Sequence, residues 1–177
     1  MVTVANENDV TDLNILVNSG YRGDASRQGW TTEADLLDGI RTDEDALKEM
    51  IHQQDTVILK YDEEKKLFGC VYLKKENDKM YLGMLTVSPK LQNKGIGKVL
   101  LIAAEEYAIE KNCAAIFMTV ISRRKELIDW YGKRGYINTG ITKPFPKDDP
   151  RFGIPKVPLE FVVLEKKLIH TAIHDSA

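Results

Sequence analysis

The residues best placed to do chemistry lie in Gln92-Asn93-Lys94-Gly95-Ile96-Gly97, with Lys98 directly after them. A strand-like apolar run from Met80 to Val87 leads into this loop, and an apolar-periodic segment opens on its glycines. Glycine lets a backbone approach an anion closely, and a helix N-terminus adds unpaired N–H donors and a partial positive charge. The chemistry implied is phosphate binding. A Walker A loop requires Ser or Thr after Gly-Lys, but Gly97-Lys98 is followed by Val99. A dinucleotide fingerprint requires a third glycine where Leu100 stands, and an acid ending the next strand, which the run from Ile116 to Ile121 lacks. Two readings remain: a loop of the form Gln/Arg-x-x-Gly-x-Gly/Ala, or a turn whose glycines serve geometry alone.

A second set of chemistry-bearing residues is spread along the chain. Tyr131 sits in Asp129-Trp-Tyr-Gly-Lys-Arg-Gly-Tyr136, on a helix face shared with Leu127 and Ile128, so a core role for its phenol stands beside an acid role. The segment from Tyr21 to Asp35 is glycine-punctuated yet carries Tyr21, Arg22 and Trp30, which suits a binding loop or a plug at the core edge. Thr142 to Pro158 holds Pro144, Pro146, Pro150, Pro155 and Pro158, five of the six prolines, and reads as a shaped loop. His52 reads as a solvated or half-buried side chain rather than a catalytic one.

The elements that must position these residues follow from periodicity. Val2–Val4 is a short strand. Asn8 or Asp9 caps a helix with Val10, Leu13, Leu16 and Val17 on its apolar face. A turn of helix is expected over Glu33 to Leu37, and a helix capped by Thr42 runs to about Gln53. The runs 56–61, 66–73 and 80–87 form an antiparallel meander. A helix follows the glycine loop to about Lys111. Then come a buried strand over 114–121, a helix from Arg124 to about Lys133, a strand starting at Tyr136-Ile137 and a closing strand over 159–168.

With 177 residues, 43% hydrophobic and 29% charged, the chain is expected to form one domain over 1–168 with a tail at 169–177. A net charge of −2 gives no overall basic field for nucleic acid or anionic lipid, and Lys90, Lys94 and Lys98 are a local cluster. No signal peptide or membrane-length apolar run is visible, and Cys70 and Cys113 have no metal-ligand spacing. They read as buried reduced thiols of a cytoplasmic protein.

The Gln92–Gly97 loop after Leu85-Thr86-Val87, together with Tyr131 in its Tyr-x-Lys-x-Gly-aromatic setting, resembles the acetyl-CoA-binding motifs of the GNAT N-acetyltransferase superfamily. The order of elements is similar to that fold from end to end. The resemblance implies a mixed α/β domain: a seven-stranded, mostly antiparallel sheet, parallel strands splayed apart at its centre, and about four helices. It implies that Leu85, Thr86 and Val87 pair with the pantetheine arm, that amides of Gln92, Asn93, Lys94, Gly95, Ile96 and Gly97 take the pyrophosphate, and that Lys98 extends the helix terminus. It further implies direct attack of an amine on acetyl-CoA, with Tyr131 as the acid for the CoA thiolate. A homodimer would be in keeping with the resemblance.

The chain departs from that pattern twice. Arg124 stands where a CoA-contacting Asn is common, seven residues before the tyrosine, where an arginine serves CoA or instead reaches a phosphate or an acidic group of the substrate, and 80–87 contains no acid to serve as base. If a base is needed, it comes from elsewhere, with Glu33, Asp35 and Glu126 as candidates, or from water alone. The acceptor is expected between the 21–35 and 142–158 loops, against Tyr21, Trp30, Phe145 and Phe152, with Glu33 or Asp35 attracting its ammonium group. Neither motif identifies the acceptor. The alternative is a non-catalytic acetyl-CoA sensor. A Rossmann-type nucleotide binder is disfavoured by the meander.

Overall fold

The computed structural model describes residues 1–146, 151 and 153–169. In chain order the elements are β1 (Val2–Val4), α1 (Val10–Tyr21), α2 (Gly23–Ser26), β2 (Leu37–Asp38), α3 (Glu44–His52), β3 (Thr56–Glu63), β4 (Lys66–Glu76) and β5 (Lys79–Val87). They continue with α4 (Ile96–Glu110), β6 (Ala115–Ile121), α5 (Lys125–Gly132), β7 (Ile137–Pro144), β8 (Ile154–Pro155) and β9 (Glu160–Lys167).

Seven strands form one sheet in the order β1-β3-β4-β5-β6-β9-β7, and every pairing is antiparallel except β5 with β6. That parallel pair is bonded only from Lys79↔Ala115 to Tyr81↔Phe117 and then separates, while β6 stays paired with β9 along its whole length. A gap therefore opens in the middle of the sheet beside the C-terminal half of β5. This is the splayed arrangement the resemblance implies.

A bulge in β5 decides which residues face that gap. Opposite β4 the register passes from Tyr72↔Gly83 to Cys70↔Thr86, so Met84 and Leu85 both stand against Val71, with Met84 at φ 55°. One extra residue reverses the inside–outside alternation downstream. Met80 and Leu82 accordingly pack on the α4 side with Leu100 and Ile116. Met84 packs on the opposite side with Leu13, Val17 and Leu47. Thr86 follows it there, close enough that a Cβ on Gly20 would meet its Cγ2 at 2.6 Å. Leu85 and Val87 are left on the α4 side, next to the glycine loop.

The position of α4 depends on one residue of β4. A Cβ on Gly69 would lie 2.8 Å from Leu100 Cδ1 and 3.0 Å from the Thr86 carbonyl, so the helix settles onto bare backbone. Gly69→Ala is expected to destabilise the protein by about 1–3 kcal/mol through overpacking, read as a lower denaturant midpoint at unchanged slope.

The five α-helices among the described residues agree with the expected four or so, the additional one being the four-residue α2 within the 21–35 loop. Three sequence expectations change. Thr42 is buried and Asp43 caps α3 instead, its Oδ1 accepting from the Ala46 N–H at 2.8 Å. Asn18 fixes that register: its Oδ1 accepts from the Arg41 N–H at 2.7 Å and its Nδ2 donates to the Thr42 carbonyl at 3.0 Å. Glu33 to Leu37 is a turn closed on the Glu33 carbonyl rather than a helix. The 142–158 segment is not wholly irregular, since β7 reaches Pro144 and Ile154–Pro155 pairs with Leu37–Asp38. That small ladder ties the two loops expected to flank the acceptor to each other. Cys70 and Cys113 are buried free thiols, and burial pushes the Cys70 thiol up to about 12. His52 is exposed against Glu7, 2.5 Å from its carboxylate.

Candidate active site

Two cavities meet where β5 and β6 part. One, of about 290 Å³, lies along the glycine loop. The other, of about 380 Å³, lies under the 21–35 loop and Phe145. Tyr21, Leu85, Leu127 and Tyr131 line both. A group in one cavity can reach a group in the other only past these four side chains.

The loop-side cavity is built by the start of α4. Gly95 is the N-cap at φ 87°, a left-handed conformation that costs any side chain with a Cβ. Amides of Ile96, Gly97 and Lys98 have no acceptor within the helix, no side chain caps them, and the first turn carries no acid. Fixed neutral donors and the helix dipole therefore favour an anion there. Leu85, Val87, Gln92, Asn93, Gly95, Ile96, Gly97 and Lys98 all line this cavity. Thr86, turned to the α1 side by the bulge, and the exposed Lys94 do not.

The Gln92 side chain has a different task from its neighbours' amides. Its Oε1 accepts from the Trp30 N–H at 2.8 Å, and its Nε2 donates to Thr31 Oγ1 at 2.6 Å and to the Val87 carbonyl at 3.3 Å. It clamps the 21–35 loop to the end of β5. This brings Trp30 to the loop side, 6.4 Å from Trp130, rather than to the acceptor wall. Arg134 covers Trp130 with its guanidinium 3.6 Å from the ring centroid, and its Nη1 donates to the Trp130 carbonyl at 2.7 Å. The Arg134 Nε is buried at this wall without a partner among the described residues.

Tyr131 stands between the cavities, 5% exposed, with edge contacts to Trp130 at 5.0 Å and Tyr136 at 5.6 Å. Burial pushes its phenol well above the ordinary tyrosine value, with the Tyr21 phenol adding in the same direction and Arg124 opposing. Tyr21 donates its hydroxyl to the Leu85 carbonyl, fixing α1 to the bulged strand at the gap. Burial pushes the Tyr21 phenol up to about 12.

The second cavity is cationic. Arg22, Arg41, Arg124 and Glu33 line it, together with Phe145 and an apolar floor from β5 and β6. The Glu33 Oε2 lies 3.3 Å from both Nε and Nη2 of Arg22, and its Oε1 lies 3.5 Å from Arg124 Nη1. Both oxygens are engaged, which leaves little room for Glu33 to act as a base or to hold an ammonium group. Asp35 is exposed and paired with Arg27 at 2.9 Å, and Glu126 is exposed against Arg124 Nε at 3.0 Å. Neither lines a cavity. Arg124 faces the second cavity rather than the glycine loop, which separates it from the loop residues. Phe152 lies outside the described residues.

Sequence reasoning missed the Arg22–Glu33–Arg124 bridge, Arg41 and the Tyr21–Leu85 bond. The partners are far apart in the chain and follow no spacing rule. Only the density of Tyr21 and Arg22 in a glycine-rich loop hinted at them. Among the described residues there is no cluster of His, Cys, Asp and Glu able to hold a metal, and no helix long and apolar enough to cross a membrane.

Comparison with known proteins bears on both the fold and the loop. Residues 24–152 match the family model described as the acetyltransferase (GNAT) domain. No curated protein matches the chain. The structure is similar to the ribosomal-protein-S18-alanine N-acetyltransferase of Escherichia coli, at TM-score 0.72 and 11% identity, covering 98% of this chain and 97% of that one. It is similar to a ribosomal-protein-alanine N-acetyltransferase of Brucella melitensis, at TM-score 0.70 and 16% identity, covering 95% and 99%. A Bacillus anthracis chain solved in complex with acetyl coenzyme A matches at TM-score 0.57 and 21% identity, over 68% of this chain and 66% of that one. Identities this low speak for the fold alone. The family match spans well over half the chain, and it includes the glycine loop and Tyr131. The protein belongs to the GNAT acetyltransferase family.

Proposed function

We propose that the protein transfers the acetyl group of acetyl-CoA to an amine nitrogen by direct attack within a ternary complex. The observation that carries this reading is the meeting of an anion-binding cavity and a second cavity at one buried phenol, Tyr131. Acetyl-CoA lies along the first, its pyrophosphate at the Gly95–Lys98 amides and its arm beside Leu85 and Val87. The Bacillus anthracis neighbour's complex with acetyl coenzyme A supports that choice of ligand. The acceptor enters from the second.

The neutral amine nitrogen attacks the thioester carbonyl, and the carbon–sulfur bond breaks from the tetrahedral intermediate. Past Tyr81 the edge of β5 that faces β6 is released from the parallel ladder, so a backbone N–H there suits the developing oxyanion. The departing thiolate takes the Tyr131 proton, and the tyrosinate regains one from the nitrogen by way of solvent. Burial keeps Tyr131 protonated at working pH. It also disfavours a thiolate formed in the same cleft, so donor and acceptor rise together and transfer stays near balance.

Calorimetric titration of acetyl-CoA and of NAD tests the cofactor assignment. Heat from acetyl-CoA alone is expected; heat from NAD alone would overturn it.

A further inference from the structure

We propose that the acceptor amine carries an oxyanionic group, a carboxylate or phosphonate, and that Arg124 and Arg41 hold it in the second cavity. The inference rests on the acetyl-transfer reading for the amine and on the charge of this cavity for the anion. Among the described residues three arginines, Arg22, Arg41 and Arg124, line the cleft against one carboxylate, Glu33. The Arg22 guanidinium is committed to Glu33 and to the Ile40 carbonyl, to which its Nη1 donates at 2.9 Å. Once that pair is set aside, the described residues of the walls carry two cations and no remaining anion.

Those cations are poised differently. Arg124 is 4% exposed, and after its contacts to Glu33 and Glu126 its Nη2 is buried with no hydrogen-bond partner among the described residues. A buried guanidinium N–H without an acceptor is costly, and a ligand oxygen is the natural means of satisfying it. Arg41 is half-buried and makes no ion pair among the described residues; its guanidinium lies 5.6 Å from the ring centroid of Tyr21, which lines the cleft together with Tyr131. Glu126, 54% exposed, pairs with Arg124 Nε at 3.0 Å from outside the cleft and offsets part of that cation's charge, leaving Arg41 and the Arg124 Nη2 donor for a ligand. A second ammonium group on the acceptor would meet repulsion here. The expectation that Glu33 or Asp35 draws in a cation is thereby replaced by the opposite preference.

The test is calorimetry on the full-length protein saturated with CoA, using product-like probes. N-acetylglycine, N-acetyl-leucine and N-acetylphenylalanine are compared with their primary carboxamides, which keep the shape and lose the charge. At least one acid is expected to bind about tenfold or more tighter than its own carboxamide. That preference should shrink to about twofold in Arg41→Gln and in Arg124→Gln, with CoA affinity little changed. Should Arg124→Gln fail to fold, because Arg124 braces Glu33, Arg41→Gln carries the test alone. N-acetylaminomethylphosphonate distinguishes the two anions: tighter binding than N-acetylglycine assigns the phosphonate. Equal binding of acids and carboxamides, a preference that survives in the variants, or no binding by any probe would overturn the proposal. Acid-selective binding without thiol release from acetyl-CoA and the matching free amines would uphold the anion site and sink the acetyl-transfer reading instead.

Discussion

Tyr131→Phe lowers kcat by about 10²–10³-fold, with the KM for acetyl-CoA nearly unchanged, because the phenol acts on the leaving thiolate rather than on the bound cofactor. The substitution removes one oxygen from a ring already braced by Trp130 and Tyr136, so the fold should survive it. A sensor that only binds acetyl-CoA would show no such split, since binding would be intact and there would be no turnover to lose. The pH profile provides a second check. Burial raises the phenol well above its ordinary value, so the protonated acid is present at low pH and persists past the usual tyrosine range. The wild-type kcat should therefore not fall between about pH 8 and pH 10 through loss of this proton. A fall centred near the ordinary tyrosine value would place the acid elsewhere.

Gly97→Asp weakens acetyl-CoA binding by at least about 10²-fold while leaving thermal stability equal or slightly higher. A Cβ at this position would meet Trp130 and Val87 at an ordinary 3.6 Å, so the backbone has room for a side chain. Aspartate in the first turn suits the dipole of α4 and has a better helix propensity than glycine, both of which favour folding. The same carboxylate sits where the pyrophosphate is expected, so binding suffers from like-charge repulsion. Opposite signs for stability and affinity separate this outcome from simple misfolding. Calorimetry and a thermal scan on one sample check both signs, and unchanged affinity would remove the helix terminus from the cofactor site.

Much of the fold was legible because the signals are local. The meander, the apolar run of β6 and the glycine-opened α4 each follow from period and turn chemistry within a few residues. The cofactor side of the site was legible for the same reason, since the loop from Gln92 to Lys98 and the segment around Tyr131 are contiguous motifs. The β5 bulge was not. Met80 to Val87 reads as one uninterrupted apolar strand, and only the register against β4 shows the extra residue that turns Met84 and Thr86 to the α1 side. Gln92 shows the limit of a motif in another way: its side chain serves as a clamp onto Trp30 and Thr31 while its neighbours' amides face the cavity. The acceptor side was the least legible. Its charge depends on Arg22, Glu33, Arg41 and Arg124, brought together by the end of α1, the 21–35 loop, the connection from β2 to α3 and the start of α5, and no spacing in the chain announces that Glu33 is spent between two arginines.

The central claim is direct transfer of an acetyl group at the junction marked by Tyr131. Single-turnover reaction of the enzyme with acetyl-labelled acetyl-CoA and a panel of amines, anion-bearing and neutral, tests it most directly when free thiol, N-acetyl product and protein-bound label are followed together. Thiol and N-acetylamine should appear in equal amounts for at least one amine, with no label on the protein. Absence of thiol release with every amine, or label carried on Cys70 or Cys113, would contradict the account.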